Sequence, residues 1–196
     1  MDMTIFQVES NKVIPKQGSL LVSAPYLRDY HFARSVVLLV EHSDEGSMGI
    51  VLNKPFHYVT RLNDLIPELE FGPPITVSKG GPVSRETLFY LHTLGDLKGA
   101  LPLGNGLYLN GDFKEMKRYI LDGNPIEGVV RFFAGYAGWQ ANQLMQEIEE
   151  NAWMVTQIDS IDLLHPYPYD LWKQSLSQMG EKYALWARYP QYPTLN

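Results

Sequence analysis

Ser35-Val36-Val37-Leu38-Leu39-Val40-Glu41 and, after Ser43-Asp44-Glu45-Gly46, Met48-Gly49-Ile50-Val51-Leu52-Asn53: these two runs decide the fold class. The first is β-branched and apolar with no alternation, the pattern of a strand covered on both faces. The second is again strand-like. The link between them is far shorter than the dozen or more residues a parallel crossover needs. The pair therefore reads as an antiparallel hairpin closed by polar turn residues.

Working outward, residues 19–24 read as a strand stopped by Pro25, after an irregular lead-in over 1–17. Downstream, 62–66 allow a short helix before Pro67, and 75–78 and 87–92 read as strands on either side of Gly80-Gly81-Pro82. A short strand over 107–110 leads into a well-marked helix. Asp112 is placed to cap it, Glu115 to complete a capping box, and Gly123 to end it. Phe113, Met116 and Ile120 share its apolar face. Residues 129–134 read as a buried strand. Gly135-Tyr136-Ala137-Gly138 is expected to turn and open a helix whose stripe is Ala141, Leu144, Met145, Ile148 and Ala152. A last strand over 153–157 precedes a helix capped by Asp170 and carrying Trp172, Leu176 and Met179. Tyr183, Trp186, Tyr189 and Tyr192 make the tail, 181–196, too aromatic for a free linker, so it is expected to pack back on the body. Helices inserted between groups of closely linked strands imply α+β architecture with a largely antiparallel sheet, in one domain over 1–196.

Composition narrows the function classes. The chain has 196 residues, 45% hydrophobic and 19% charged, which is globular composition. It has no cysteine, so disulfides, thiolate nucleophiles and cysteine-ligated metal centres are excluded. The longest apolar run, Val36 to Val40, is far short of a membrane span, and no signal peptide is visible near Met1, so the cytoplasm is the expected compartment. Net charge is −6 and the only adjacent basic pair is Lys117-Arg118, so direct nucleic-acid binding is not expected.

Searches for catalytic signatures return little. There is no phosphate loop, nucleophile elbow or zinc helix, and His31, His42, His57, His92 and His165 lack metal-ligand spacing. No cofactor, metal or catalytic residue is assigned. Ser35, His42 and Glu41 could be drawn as a triad, but ordinary structural roles outweigh it because neighbouring strand residues point to opposite faces. Arg34 is a candidate anion ligand, with pairing to Asp29 the plainer reading. The glycine segments Gly80-Gly81-Pro82 and Gly135-Tyr136-Ala137-Gly138-Trp139 either serve tight packing or bring backbone N–H groups to an anion at a helix start.

At these segments the chain resembles the AlgH/YqgE family of small bacterial proteins, named as transcriptional regulators without an established activity. The resemblance is carried by Gly18-Ser19-Leu20-Leu21-Val22-Ser23-Ala24-Pro25, by Phe32-Ala33-Arg34-Ser35 and the strand after it, and by Gly49-Ile50-Val51-Leu52-Asn53-Lys54-Pro55. Gly80-Gly81-Pro82-Val83, Leu91-His92, Phe133-Ala134-Gly135-Tyr136-Ala137-Gly138-Trp139, Gln143-Leu144, Glu147 and Trp153 extend it over nearly the whole chain. The chain departs from the family pattern at Asp29-Tyr30, Asn142 and Met145, the last standing in place of a carboxylate. The resemblance implies a bent sheet partly rolled into a pseudo-barrel with helices outside. It points to a binding or regulatory protein with an unknown small-molecule or protein partner, the alternative being an enzyme acting on a small anionic metabolite. The two glycine segments are expected to border one cleft, lined by Arg34, His42, Asn53, Gly80, Gly81, His92, Gly135, Tyr136, Gly138 and Trp139.

Overall fold

The hairpin forms as read. In the computed structural model, which describes residues 8–157, 163–165 and 171–190, β2 (Val36–Ser43) pairs antiparallel with β3 (Gly46–Val51). Val37 lies opposite Val51 and Leu38 opposite Ile50, and a bulge follows Leu39. β1 (Leu20–Ser23) borders the other side of β2, and β10 (Trp153–Thr156) borders β1, both antiparallel.

β2 shows no alternation because each face meets its own core. Side chains alternate across a strand, so an unbroken apolar run needs cover on both sides. Val36, Leu38 and Val40 join Leu20, Val22, Ile50 and Leu52 beneath α4 (Leu171–Gln178) and α5 (Glu181–Trp186), which contribute Trp172, Leu176 and Trp186. Val37 and Leu39 join Leu21, Trp139 and Trp153 beneath α3 (Gln143–Glu149), which contributes Leu144 and Ile148. The aromatic tail is therefore part of the main core as far as Tyr189; Asp170 and Tyr192 lie outside the described residues.

The rest of the sheet grows from β9 (Val130–Gln140), the longest strand. Its first part pairs antiparallel with β6 (Val83–His92) on one side and parallel with β5 (Thr76–Lys79) on the other. Its last part, from Ala137, pairs antiparallel with β3. Beyond β6 follow β8 (Leu107–Leu109) and β7 (Leu101–Gly104), while β4 (Thr60–Arg61) leads into α1 (Leu62–Leu65) and pairs with β5. The sheet is thus largely antiparallel, ten-stranded and open, with β10 and β7 at its ends. A third core lies under α2 (Phe113–Leu121), where Met116 and Ile120 meet Leu62, Val77, Tyr90 and Phe132. The Asp112 side chain caps α2 through the N–H groups of Lys114 and Glu115. The capping box is not reciprocal: the Glu115 carboxylate accepts from the Lys98 N–H instead.

One element differs in kind from the sequence reading. Gly135-Tyr136-Ala137-Gly138 does not turn into a helix; β9 runs straight through it to Gln140. The residues alternate, with Tyr136 packed against one core and Ala137 and Trp139 buried in another, which is strand periodicity. Gly135 supplies a kink at φ +75° where, along one edge, β9 exchanges β5 for β3. The opposing strand slips here too, between Val83 and Leu88.

Candidate functional site

A large cavity, about 1190 Å³, opens where three loops meet the sheet. Its first wall is the irregular stretch between β1 and β2. Asp29 shapes that stretch by accepting N–H bonds from His31 (2.7 Å) and Phe32 (3.0 Å) on its carboxylate, an Asx-type turn. Tyr26, Arg28, Tyr30 and His31 face the cavity from it. Arg34 ends the turn at φ +53°, and Asn53 supports that left-handed residue from below. The Asn53 Nδ2 donates to the Arg34 carbonyl (2.8 Å), while its Oδ1 accepts from the Val36 N–H (2.9 Å).

The second wall is the exit from β3, with Lys54, Phe56 and His57; the third is the end of β5 and the start of β6, with Lys79 and Arg85. The Lys79 N–H donates to the Lys54 carbonyl (3.0 Å), which locks the two lysine positions together. Arg131 anchors the same corner from inside the sheet. Its guanidinium donates to the Leu52 carbonyl (3.0 Å) and the Ser78 hydroxyl (3.3 Å). Burial pushes its pKa down to about 10, so it stays charged at neutral pH.

The lining is strongly cationic. Arg28, Arg34, Lys54, Lys79 and Arg85, five of the chain's 16 Lys and Arg residues, face Asp29, the single carboxylate among the described lining residues. The pKa of Lys54 is lowered by burial and then by the positive charges of Lys79 and Arg34. That of Lys79 is lowered by burial and by Arg85, with Asp29 opposing. Both shifts record partial desolvation first and crowding of like charge second. The Lys54 ammonium donates to the Ala33 carbonyl. Lys79 lies 3.4 Å from the His31 Nδ1 and 5.6 Å from the centre of the Tyr30 ring, whose hydroxyl meets the His57 Nε2 at 3.2 Å.

Arg34 does not pair with Asp29. Its guanidinium donates to the Tyr189 carbonyl and lies 4.8 Å over the Trp172 ring, while Tyr189 stacks on Tyr26. The C-terminal helices thus buttress the cavity wall.

Of the ten residues expected to line one cleft, Arg34 lines this cavity. Gly81 borders an adjoining crease, with His31, Lys54 and Lys79, that has no room for water. The two glycine segments do meet, but backbone to backbone. A Cβ on Gly80 would fall 2.2 Å from the Gly135 carbonyl oxygen, and one on Gly81 2.0 Å from the Tyr136 carbonyl carbon. The Tyr136 ring packs on Phe89, and Gly138 and Trp139 lie in the stretch of β9 paired with β3. No helix starts there: α3 begins at Gln143, after Asn142 at φ +64°. The Trp139 and Trp153 indoles both donate to the Glu147 carboxylate, at 2.9 and 2.7 Å. His42 is bonded through Nδ1 to the Ser47 hydroxyl (2.7 Å) across the β2–β3 hairpin. Ser35 precedes the opposite end of β2, about 23 Å away along an extended strand, so Ser35, His42 and Glu41 form no catalytic group. His92 is fully buried; its Nε2 donates to the Asn110 carbonyl (2.7 Å) and its Nδ1 accepts from the Leu94 N–H (3.2 Å).

Sequence reasoning passed over Tyr26, Tyr30, Lys54, Lys79 and Arg85 as site residues. They are far apart in the chain, and only the Arg28–Arg34 segment carried a local signal. Among the described residues no cluster of His, Asp and Glu is arranged to hold a metal, and no helix is long and apolar enough to cross a membrane.

Known proteins share this fold and sequence. The chain is 50% identical over 192 residues to a UPF0301 protein of Bacteroides fragilis, covering 98% of this chain and 97% of the relative. It is 48% identical to a UPF0301 protein of Bacteroides thetaiotaomicron, covering 100% and 99%. The crystal structure of a Corynebacterium diphtheriae protein matches with a TM-score of 0.74 at 27% identity, over 92% of this chain and 95% of that one. The solution structure of the AlgH protein from Pseudomonas aeruginosa matches with a TM-score of 0.69 at 27% identity, over 92% and 98%. The AlgH-like family model matches residues 20–184, which take in both β-hairpin strands, the cavity walls and α4; the chain belongs to the AlgH-like family.

Proposed function

We propose that this protein is a binding module that holds a small anionic ligand in the cavity and acts as a cytoplasmic regulator through that binding. One observation carries the reading: five cationic side chains converge on one large cavity in a chain whose net charge is −6. Gathering like charges costs free energy in the empty protein, and an anion recovers it. An enzyme acting on the same kind of anion is the alternative. It needs a group free to move protons; the Asp29 carboxylate is spent on the turn that shapes the wall, and the His31 and His57 rings are engaged by Lys79 and Tyr30, so binding is the stronger reading.

The test is thermal stability of the full chain against increasing pyrophosphate, with sucrose as a neutral control. Ligand that binds the folded state raises Tm with its concentration. The expected result is stabilisation by pyrophosphate that weakens with salt and falls at least tenfold in apparent affinity in Lys79→Ala/Arg85→Ala. Stabilisation of equal size in that variant, or none in either protein, refutes the reading.

A further inference from the structure

The cavity is too large and too aromatic for a bare anion. Its volume, about 1190 Å³, exceeds the roughly 300–1,000 Å³ usual for small-molecule sites. Phosphate alone would leave most of it to water. Aromatic rings occupy the same walls as the cations. Tyr26 is stacked at 5.4 Å and 20° on Tyr189, which holds its ring rigid, and it remains 44% exposed. Tyr30 is 72% exposed, braced by its hydroxyl contact with His57 and by the Lys79 ammonium at one face. Exposed aromatic rings that are held in place offer stacking surfaces at little entropic cost.

Resting on the anion-binding reading above, we propose that the ligand is a nucleotide, a planar heteroaromatic ring joined to phosphate, stacked on Tyr26 or Tyr30 with its phosphate on Lys79, Arg85 and Arg34. Guanidinium groups suit phosphate because their paired N–H donors match two of its oxygens. Lys79 touches both halves of the site, with the Tyr30 ring on one side and the charge of Arg85 on the other. The ring and phosphate subsites therefore lie within the span of one small molecule. A nucleotide unit also occurs in single-stranded nucleic acid, which binds through the same stacking and charge. The charge distribution favours the monomer. With five cations spent on the cavity, the remaining surface is more acidic than the net −6 of the whole chain, so phosphates flanking a bound unit would be repelled.

Calorimetric titration of the full chain with four probes tests this: a mixture of the common nucleoside 5′-monophosphates, the matching nucleosides, inorganic phosphate, and a mixed-sequence ten-residue single-stranded oligonucleotide. The nucleotides are expected to bind at least tenfold more tightly than phosphate or nucleosides. Tyr26→Ala/Tyr30→Ala should erase that advantage while leaving phosphate affinity unchanged, with circular dichroism confirming the fold. Lys79→Ala should weaken nucleotide and phosphate alike. Equal affinity for phosphate and nucleotides overturns the ring subsite but leaves anion binding standing. Binding of none of the probes, with pyrophosphate also inert, removes both. Tighter binding of the oligonucleotide than of any monomer, on a per-site basis, overturns the monomer as the ligand.

Discussion

Replacing Glu147 by Ala should unfold this protein far more easily than its half-exposed position suggests. The carboxylate accepts indole N–H hydrogen bonds from Trp139 and Trp153 and one from the Gln143 side-chain amide N–H. Trp139 is 6% and Trp153 1% exposed, and their rings pack edge to face at 5.9 Å in the core beneath α3. Removing the acceptor strands two donors that cannot turn elsewhere without breaking that packing. A buried donor left without a partner costs about 1–3 kcal/mol. Two of them suggest ~2–6 kcal/mol, and water entering beside half-buried Glu147 brings the expected loss toward ~2–4 kcal/mol. Chemical denaturation followed by tryptophan emission measures it. Gln146→Ala is the control, since it removes only the exposed bond to Glu150, and its effect should stay within about 0.5 kcal/mol. A Glu147→Ala loss no larger than the control's would mean that the indoles find other partners, and the clamp has no structural weight.

Two further outcomes follow from the geometry. Gly135→Ala places a Cβ 2.8 Å from the carbonyl oxygens of Gly81 and Val83 on a backbone at φ +75°, so it should cost on the order of 1–3 kcal/mol or more. Gly138→Ala meets only the edge of the Tyr136 ring at 3.3 Å and should cost clearly less; equal melting temperatures for the two variants would refute the packing role of Gly135. Burial lowers the pKa of His92 from 6.5, because a charged imidazolium would be desolvated there, against the opposing effect of the bond its Nε2 donates to the Asn110 carbonyl. The unfolded chain then binds that proton first, so this contribution is complete above about pH 6.5 and is lost as pH falls through and below it. Tm profiles between pH 8 and 5 should fall less steeply in His92→Gln than in the parent, and parallel profiles would contradict the buried neutral imidazole.

What the sequence determined by itself is local or repetitive. The unbroken apolar run over Val36 to Val40 could be satisfied only by cover on both faces, and the short polar link to Met48 forced the antiparallel pairing that made the whole sheet legible. Asp112, Met116, Ile120 and Gly123 specified α2 because capping and helical periodicity act within a few residues. The long ordered series of matching segments identified the family for the same reason: it is written along the chain. The path of β9 was not legible in this way. Glycines at 135 and 138 looked like a turn, and only the approach of Gly80 and Gly81 shows that the missing side chain at 135 makes room for neighbouring backbone. The cavity was least legible of all. Arg28, Arg34, Lys54, Lys79 and Arg85 are dispersed over nearly sixty positions in an acidic chain. The parallel pairing of β5 with β9 and the Lys79–Lys54 backbone bond bring the exits of two strands together beside the Asp29 turn. Electrostatic potential is summed through space, not along sequence, so it was left to the tertiary structure to turn scattered cations into a site.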